Sequence, residues 1–409
     1  MGDLLTINAS RLLCRLDELS RLGATPEGGV SRLALSNEDK LGRDQVVAWM
    51  KEIGLEVHID RVGNLLGFRP GQTRQAPVLF GSHLDSVRAG GRYDGAYGVL
   101  AALEVLQTLQ ESGLRTRRPL LMAVFTNEEG ARYAPDMQGS LAFVGDLPVN
   151  EALAATGFDG SNFGAELQRI GYAGDFPCAS IRPHACLELH IEQGPVLEKE
   201  GIRIGAVEAI TGISWQEVTL KGVANHAGTT PMDLRHDAGF VAACIVARLR
   251  HLAAELGPAQ RATCGMISFR PNVINVIPAE VTLTLDLRNP DEGLLRQAEE
   301  RLREFIERAA AEEGVTVTSR QLAYVSPARC DPRLVAVIEA VAADLHLSCR
   351  RMVSGAGHDA QILARHFPTA MIFIPSRGGI SHSPAEYSSP EDLAAGANVL
   401  LQAVVRLAQ

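Results

Sequence analysis

The segment VLFGSHLDSVRAGGRYDGAYGVLAALEVLQTLQESGLRTRRPLLMAVFTNEEG, residues 78–130, decides the fold class of this chain. It begins with a short apolar strand pattern at 78–80 and continues with a helix pattern at 96–110, which ends at Gly113. A second apolar strand pattern covers 119–125, as expected for a sheet with both faces covered. This alternation predicts an α/β fold, in which functional side chains gather at the carboxyl ends of the strands.

The alternation is interrupted once, between residues 211 and 326. Within that stretch, strands with one apolar face alternate with two long helices, which is typical of a small α+β domain. The first pattern resumes from about Asp331. We therefore predict an open, mixed-sheet α/β domain with helices on both faces, formed by residues 1–210 and 327–409. It carries an inserted, smaller α+β domain at residues 211–326.

The composition excludes several classes of protein. The 409 residues carry a net charge of −9, from 48 acidic and 39 basic side chains, which argues against nucleic acid or an anionic membrane as partner. No run approaches the ~18 uncharged apolar residues that a membrane helix needs. Residues 1–23 lack the basic start and apolar block of a signal peptide.

The cysteines indicate a reducing compartment. All seven are scattered along the chain without a C-x-x-C pair, which argues against a disulfide framework or a thiolate zinc site. Together with the missing signal-peptide pattern, this distribution predicts a cytoplasmic protein.

Histidines and carboxylates follow the predicted strands closely. They stand in the segments GSHLDS (His83, Asp85), GGRYDG (Asp94), TNEEG (Glu128, Glu129), LELHIEQG (His190) and GISHSP (His382). Histidine and carboxylate ligands without cysteine are suited to Zn²⁺ or Mn²⁺ in a catalytic site. Two ions ~3.5–4 Å apart need a bridging carboxylate, and a further carboxylate must accept the proton of the attacking water. The spacing leaves open which of Glu128 and Glu129 is a ligand and which is the base.

Motifs of other enzyme classes are missing or incomplete. The sequence has neither the phosphate loop G-x-x-x-x-G-K-[ST] nor the serine-hydrolase elbow G-x-S-x-G. Residues 355–360 match G-x-G-x-x-A, yet about 20 residues on, where a dinucleotide site needs an acidic residue, stands Arg377. This turn is therefore interpreted as backbone that touches substrate, and ordinary helix–strand packing is the alternative.

Several segments together resemble the M20 metallopeptidase-like family. The similarity points to its amidase branch, the hydantoinase/carbamoylase type, which includes N-carbamoyl-L-amino-acid hydrolases, ureidopropionases and allantoate amidohydrolases. The segments that carry it are, in order, GSHLDSVRAGGRYDG, FTNEEGARY, ELHIEQGPVLE, GVANHAGTTPM, RPNVINVIP, LTLDLRNP, SGAGHDA and GISHSPAEY. Many peptidases of the family have a carboxylate where His190 stands, so this histidine favours the amidase branch.

The resemblance implies a catalytic site for two divalent ions. Each ion is assigned three ligands: His83, Asp94 and His190 for the first, and Asp94, Glu129 and His382 for the second. Asp94 then bridges the ions and Glu128 is the general base, while Asp85 orients His83.

The resemblance also assigns recognition residues. The inserted domain acts as a lid and as the surface of a homodimer, and its Arg288 binds the substrate carboxylate through a planar pair of donors. Asn275, Gln193 and the backbone of Gly357 hold the rest of the substrate. His226 reaches in from the partner subunit and stabilises the developing oxyanion.

The predicted reaction is hydrolysis of the ureido C–N bond of an N-carbamoyl-L-amino acid, which yields the amino acid, carbon dioxide and ammonia. Allantoate and N-carbamoyl-β-alanine also offer a carboxylate and a ureido group, so allantoate amidohydrolase and ureidopropionase are alternatives. A dipeptidase is disfavoured by His190. A non-catalytic ligand-binding relative is the alternative outside the enzymes, although none of the ligands or the base is missing from the sequence.

Overall fold

The computed structural model describes residues 4–409, which divide into two compact units. The first unit runs to Glu208 and resumes at Arg329–Gln409, and the second unit is Ala209–Ala328. The sequence prediction places these boundaries at residues 211 and 326. Both units are described below, each by itself.

Fourteen strands and twelve helices form within the described residues. The strands are β1 Glu56–Ile59, β2 Leu65–Arg69, β3 Val78–His83, β4 Leu120–Phe125, β5 Ala185–Ile191, β6 Ile204–Ile210, β7 Gly212–Lys221, β8 Arg261–Thr263, β9 Ile267–Arg270, β10 Glu280–Asn289, β11 Thr316–Val325, β12 Ala328–Arg329, β13 Cys349–Ser354 and β14 Thr369–Ile374. The helices are α1 Ala9–Ser20, α2 Asn37–Glu52, α3 Ala96–Glu111, α4 Gln138–Val144, α5 Val149–Ala154, α6 Phe163–Arg169, α7 Val196–Glu200, α8 Ala238–Leu256, α9 Glu292–Glu313, α10 Pro332–Asp344, α11 Asp359–Leu363 and α12 Pro390–Leu407.

The first unit is built on a nine-stranded sheet. Its order is β1-β2-β4-β3-β5-β14-β6-β12, with β13 paired to β6. The four central strands β4, β3, β5 and β14 are parallel, whereas β2 and β6 join them antiparallel. Every residue of these four strands is buried, so both faces of the sheet are covered. The predicted mixed-sheet α/β fold class is confirmed.

Helix boundaries in the first unit follow from side-chain caps and proline. Asp331 and Ser389 accept backbone N–H groups at the starts of α10 and α12, and each helix has a proline in its first turn. Both features are typical of helix starts, because proline lacks the N–H that would go unpaired there. The predicted helix at 96–110 is α3, which extends one residue further to Glu111.

The second unit contains an antiparallel sheet in the order β11-β7-β10-β8, with β9 also paired to β10. Strand β10 alternates between half-buried and buried residues, and its inward side chains pack with α8 and α9 in one core. Strand β11 does not follow from the sequence pattern. Six of its ten residues are exposed, and polar and apolar positions do not alternate, so the two-residue period that marks a strand is lost.

Across residues 4–409, no helix combines the length and the apolar character required to cross a membrane.

Candidate two-ion catalytic site

The candidate residues of the first unit lie at the carboxyl ends of its parallel strands. His83 is the last residue of β3, and His190 is the penultimate residue of β5. Glu128 and Glu129 follow β4 after two intervening residues, and His382 lies in the loop after β14. Because parallel strands end at the same edge of a sheet, four distant parts of the chain meet there.

The first cluster of potential ligands comprises His83, Asp94 and His190. Their ligand atoms all lie within 4.8 Å of one another. Asp94 Oδ1 is 3.1 Å from His190 Nε2 and 3.6 Å from His83 Nε2. All three side chains are buried, so water does not compete for these positions.

The second cluster comprises Asp94, Glu129 and His382, whose ligand atoms also lie within 4.8 Å of one another. His382 Nε2 is 3.2 Å from Asp94 Oδ2 and 3.4 Å from Glu129 Oε2. The two oxygens of Asp94 therefore face different histidines. That arrangement is what a carboxylate bridging two ions requires.

Unpaired buried atoms show that these residues fit metal ions. Among residues 4–409, His83 Nε2 and Glu129 Oε1 have no hydrogen-bond partner although both are buried. A buried atom without a partner is costly unless something else binds it. Carboxylates also crowd the site, since the pKa values of Glu128 and Glu129 are raised first by burial and then by the charges of neighbouring carboxylates. Divalent cations would compensate this excess of negative charge.

The turn after β4 places the side chains of Glu128 and Glu129 beside different neighbours. Asn127 has a positive φ of 58°, and its side-chain nitrogen donates to the carbonyls of Tyr133 and Pro135, which holds the turn closed. Glu129 reaches the Asp94–His382 cluster. Glu128 Oε2 instead lies 3.4 Å from His83 Nε2. Glu129 thus lies among the potential ligands, and Glu128 lies beside them.

Asp85 acts on the site in a way that the sequence does not predict. His83 Nδ1 is 2.9 Å from the backbone carbonyl of Asp85 and 4.0 Å from its carboxylate, so the backbone orients the imidazole. The carboxylate instead accepts the backbone N–H groups of Glu128 and Glu129, each at 3.2 Å. Burial is the main cause that raises the pKa of Asp85 to about 7.

The histidine pKa values differ with their surroundings. Burial lowers the pKa of His83 to about 4, which keeps its imidazole neutral, as a metal ligand must be. Burial also lowers the pKa of His190, but the hydrogen bond to Asp94 and the charges of Asp94 and Glu188 together outweigh burial and raise the pKa to about 9. Hydrogen bonds to His190 and His382 overcome the effect of burial and hold the pKa of Asp94 well below its usual range.

Glycine allows the close approach between α3 and His83. Gly95, which directly follows Asp94, has a φ of 62°, and a Cβ there would lie 2.4 Å from the His83 ring. Its N–H donates to His190 Nε2 at 3.1 Å. A larger residue would therefore displace the first cluster.

Two predicted substrate-binding residues lie in the first unit. Gln193 Nε2 donates to Asp94 Oδ2 at 2.9 Å, so this side chain contacts the shared carboxylate directly. Gly357 lies between β13 and α11, where a Cβ would meet the methyl group of Met137 at 2.6 Å.

The other predicted recognition residues lie in the second unit. The backbone N–H of Ala227, which follows His226, donates to the carbonyl of Asn275, so these two segments are neighbours. The exposed His226 accepts the N–H groups of Gly228 and Thr229 at Nδ1. Because Nδ1 is an acceptor, a neutral His226 carries its proton on Nε2 and offers a donor to solvent.

Arg288 on β10 forms an ion pair with Asp286 on the same strand. Its Nε and one terminal nitrogen donate to the carboxylate of Asp286, at 3.0 Å each. Both side chains are partly exposed. This pairing, which sequence spacing alone does not indicate, fixes one edge of the guanidinium.

Sequence reasoning missed three further buried residues at the site. Glu188, His190 and His358 form another group with ligand atoms within 4.8 Å, and the rings of His190 and His358 are 4.6 Å apart. Glu386 accepts the backbone N–H of Asp94 at 3.2 Å. His358 and Glu386 stand in the quoted segments SGAGHDA and GISHSPAEY, so the signal was present but not assigned to a role.

Comparison with known proteins places the chain among metal-dependent hydrolases. The profile of Peptidase family M20/M25/M40 matches residues 79–406. The chain is 39% identical to an N-carbamoyl-L-amino-acid amidohydrolase of Rhizobium meliloti, over 100% of this chain and 98% of the relative. It is 36% identical to an allantoate amidohydrolase of Bacillus subtilis, over 96% of both. A crystal structure of an amidase of the hydantoinase/carbamoylase family from Burkholderia multivorans superposes with a TM-score of 0.96 at 44% identity, covering 99% of this chain and 98% of that one.

Proposed function

The chain belongs to peptidase family M20/M25/M40, and from this membership we propose that it is a two-ion amidohydrolase of N-carbamoyl-L-amino acids. It hydrolyses the ureido C–N bond and releases the amino acid, carbon dioxide and ammonia. The names of the relatives support this substrate class. The single observation that carries the two-ion chemistry is Asp94, whose two oxygens face different histidines, His190 and His382.

The ligands fall into two sets that share Asp94. His83 and His190 complete the first set, and Glu129 and His382 complete the second. Two divalent ions bound there, Zn²⁺ or Mn²⁺, would lower the pKa of a water molecule and polarise the ureido carbonyl.

Glu128 moves the proton in this reaction. Its carboxylate lies beside the ligands in a buried position, so it can take the proton of the attacking water and deliver it to the leaving nitrogen. Asp85 keeps this carboxylate in place by accepting the backbone N–H groups of Glu128 and Glu129.

The proposed recognition residues come from both units, with Gln193 and Gly357 in the first and Asn275, Arg288 and His226 in the second. The guanidinium of Arg288 binds the substrate carboxylate, and Asn275, Gln193 and the Gly357 backbone hold the carbamoyl group and the amide nitrogen. His226 donates from Nε2 to the developing oxyanion. Its backbone-fixed tautomer supports this role. The second unit thereby serves as a lid that couples substrate capture to closure.

The active form is a homodimer in which His226 acts on the partner's site. Mixing two inactive variants, Glu128→Gln and His226→Ala, tests this arrangement. If His226 acts in trans, half of the randomly formed dimers have one complete site, and about a quarter of the wild-type activity returns. If no activity returns although mass spectrometry shows mixed dimers, His226 acts within its own chain.

Allantoate is the second candidate substrate, because a matching relative carries that activity. The same ligands and the same base serve it equally well. A dipeptidase remains disfavoured by His190, and a non-catalytic relative is disfavoured because the ligands and the base are all present.

The deciding experiment measures ammonia release by protein loaded with Mn²⁺ or Zn²⁺. N-carbamoyl-L-amino acids, N-carbamoyl-β-alanine and allantoate are compared in parallel, and bound metal is counted by elemental analysis. We expect two ions per chain and the highest kcat/KM with a carbamoyl-L-α-amino acid. A preference for allantoate replaces the substrate but not the site. Protein that retains no metal under loading conditions contradicts the proposal.

We also propose a cytoplasmic location without nucleic-acid or membrane partners. The seven cysteines are all free in the described residues, which supports a reducing compartment. The net charge of −9 supports the lack of anionic partners.

A further inference from the structure

Glu386 connects two loops that carry potential metal ligands. One oxygen, Oε1, accepts the backbone N–H groups of Tyr93 at 2.9 Å and Asp94 at 3.2 Å. The other, Oε2, accepts the hydroxyl of Ser381 at 2.7 Å. Asp94 and His382 directly adjoin these contacts, although they come from loops almost three hundred residues apart in sequence. The side chain of Glu386 is buried.

Ser381 continues the connection to the shared carboxylate. Its Oγ lies 3.4 Å from Asp94 Oδ2, and Gln193 Nε2 donates to Ser381 Oγ at 3.2 Å and to Asp94 Oδ2 at 2.9 Å. The oxygen of Asp94 that faces His382 thus lies beside Ser381, which Glu386 holds by a hydrogen bond, and beside Gln193, which is bound to Ser381. The other oxygen, Oδ1, faces His83 and His190 instead.

The loop before Asp94 leaves room for this carboxylate. A Cβ on Gly91 would lie 2.0 Å from the carboxyl carbon of Glu386. Any side chain at position 91 would therefore displace Glu386 while leaving its chemistry unchanged. The loop is shaped around the carboxylate.

We infer that Glu386 is a positioning residue for the second ion, the one assigned to Asp94, Glu129 and His382. By fixing the Asp94 backbone and the Ser381 hydroxyl together, it sets the separation between Asp94 Oδ2 and His382. The first ion shares Asp94 but takes its other two ligands from His83 and His190, whose side chains Glu386 does not contact. This inference rests on the two-ion site proposed above.

Three substitutions separate hydrogen bonding from charge. Glu386→Ala removes all three contacts, and we expect the second ion to bind about 10- to 100-fold more weakly while the first keeps its affinity. Glu386→Gln should restore binding, because its amide oxygen can accept both N–H groups and its amide nitrogen can donate to Ser381 Oγ. Gly91→Ala should weaken the second ion as Glu386→Ala does, and it tests the inference if Glu386→Ala fails to fold.

Isothermal titration with Mn²⁺ and the absorption spectrum of the Co²⁺-loaded protein identify which ion is lost. The spectrum of Glu386→Ala should match that of His382→Ala and differ from that of His190→Ala. Glu104→Ala is the matched control, because Glu104 is equally buried and also accepts a backbone N–H, from Asn8, together with Arg11. This control should lose thermal stability and keep both ions.

The outcomes distinguish this inference from the proposed function. If wild-type protein binds fewer than two ions, the two-ion proposal fails first. If wild-type protein binds two ions and Glu386→Ala binds both with unchanged affinity, only the positioning role is overturned. The same conclusion follows if Glu386→Gln is as defective as Glu386→Ala, because hydrogen bonds would then not be the link.

Discussion

The two units hold their functional residues in opposite ways. In the first unit, His83 and His190 are 1% exposed, and their positions are fixed by buried strands and by hydrogen bonds to backbone. In the second unit, His226 and Asn275 are exposed, and Arg288 is 27% exposed on an antiparallel strand. Charges interact strongly where water is excluded and weakly where it is not. The proposed ion binding and proton transfer therefore fit the buried residues of the first unit, and the proposed substrate binding fits the more exposed residues of the second.

The largest effect is expected from Glu128→Gln in the buried site. The amide cannot accept the water proton, so kcat should fall about 100- to 10,000-fold. Bound metal should remain at the wild-type content, because Glu128 is not in either ligand cluster. Steady-state kinetics and elemental analysis of the same preparation check both parts. Substantial remaining turnover would remove Glu128 from the base role.

The next largest effect is expected from Arg288→Lys in the second unit. Lysine keeps the charge but loses the planar pair of donors, so KM for a carboxylated substrate should rise about 10- to 100-fold. KM for the corresponding substrate amide should change far less. Equal changes for both substrates would mean that Arg288 does not bind the carboxylate.

A smaller effect is expected from Asp286→Asn, which alters the partner of Arg288. The guanidinium would lose a charged acceptor but keep its own donors, so KM should rise about threefold to tenfold with little change in kcat. Glu217→Gln is a matched control, because Glu217 pairs with Arg320 elsewhere on the same sheet. A larger change in kcat than in KM would contradict a role confined to binding.

The smallest effect is the alkylation expected at the two buried thiols of the first unit, Cys186 and Cys330. Burial raises the pKa values of Cys186 and Cys330 to about 12. Thiolate is the reactive form, so at pH 8 only about one thiol in 10,000 is reactive, and this fraction rises about tenfold per pH unit below the pKa. Peptide mass spectrometry after iodoacetamide treatment should show alkylation of the exposed Cys14 first. Equal rates in the native protein would contradict the burial of the first-unit core.

Local patterns account for the parts of the fold that could be predicted. Helix α8, Ala238–Leu256, is one of the two long helices predicted in the inserted domain, because one apolar face repeats over several turns. Strand β11 could not be predicted, because its residues are largely exposed and its pairing with β7 comes from tertiary structure.

For the site, potential ligands that stand directly after buried strands could be identified from sequence. Contacts between residues that are distant in sequence could not be identified in this way. Glu386 accepts the backbone N–H of Tyr93 only because folding brings two distant loops together. The Asp85 carboxylate accepts the backbone N–H groups of Glu128 and Glu129 instead of binding the His83 side chain. Such contacts leave no periodic signal, so the structure is needed to find them.

Strand β14 is synthesised last among the strands, yet it lies inside the sheet between β5 and β6. Until the ribosome has released residues 369–374, both neighbours expose unpaired backbone edges of the kind that promote aggregation. The second unit is continuous in sequence and precedes β14, so it can fold while the first sheet is still open. Until β14 is available, the facing edges of β5 and β6 are therefore the parts of this sheet that are most prone to pair with another chain.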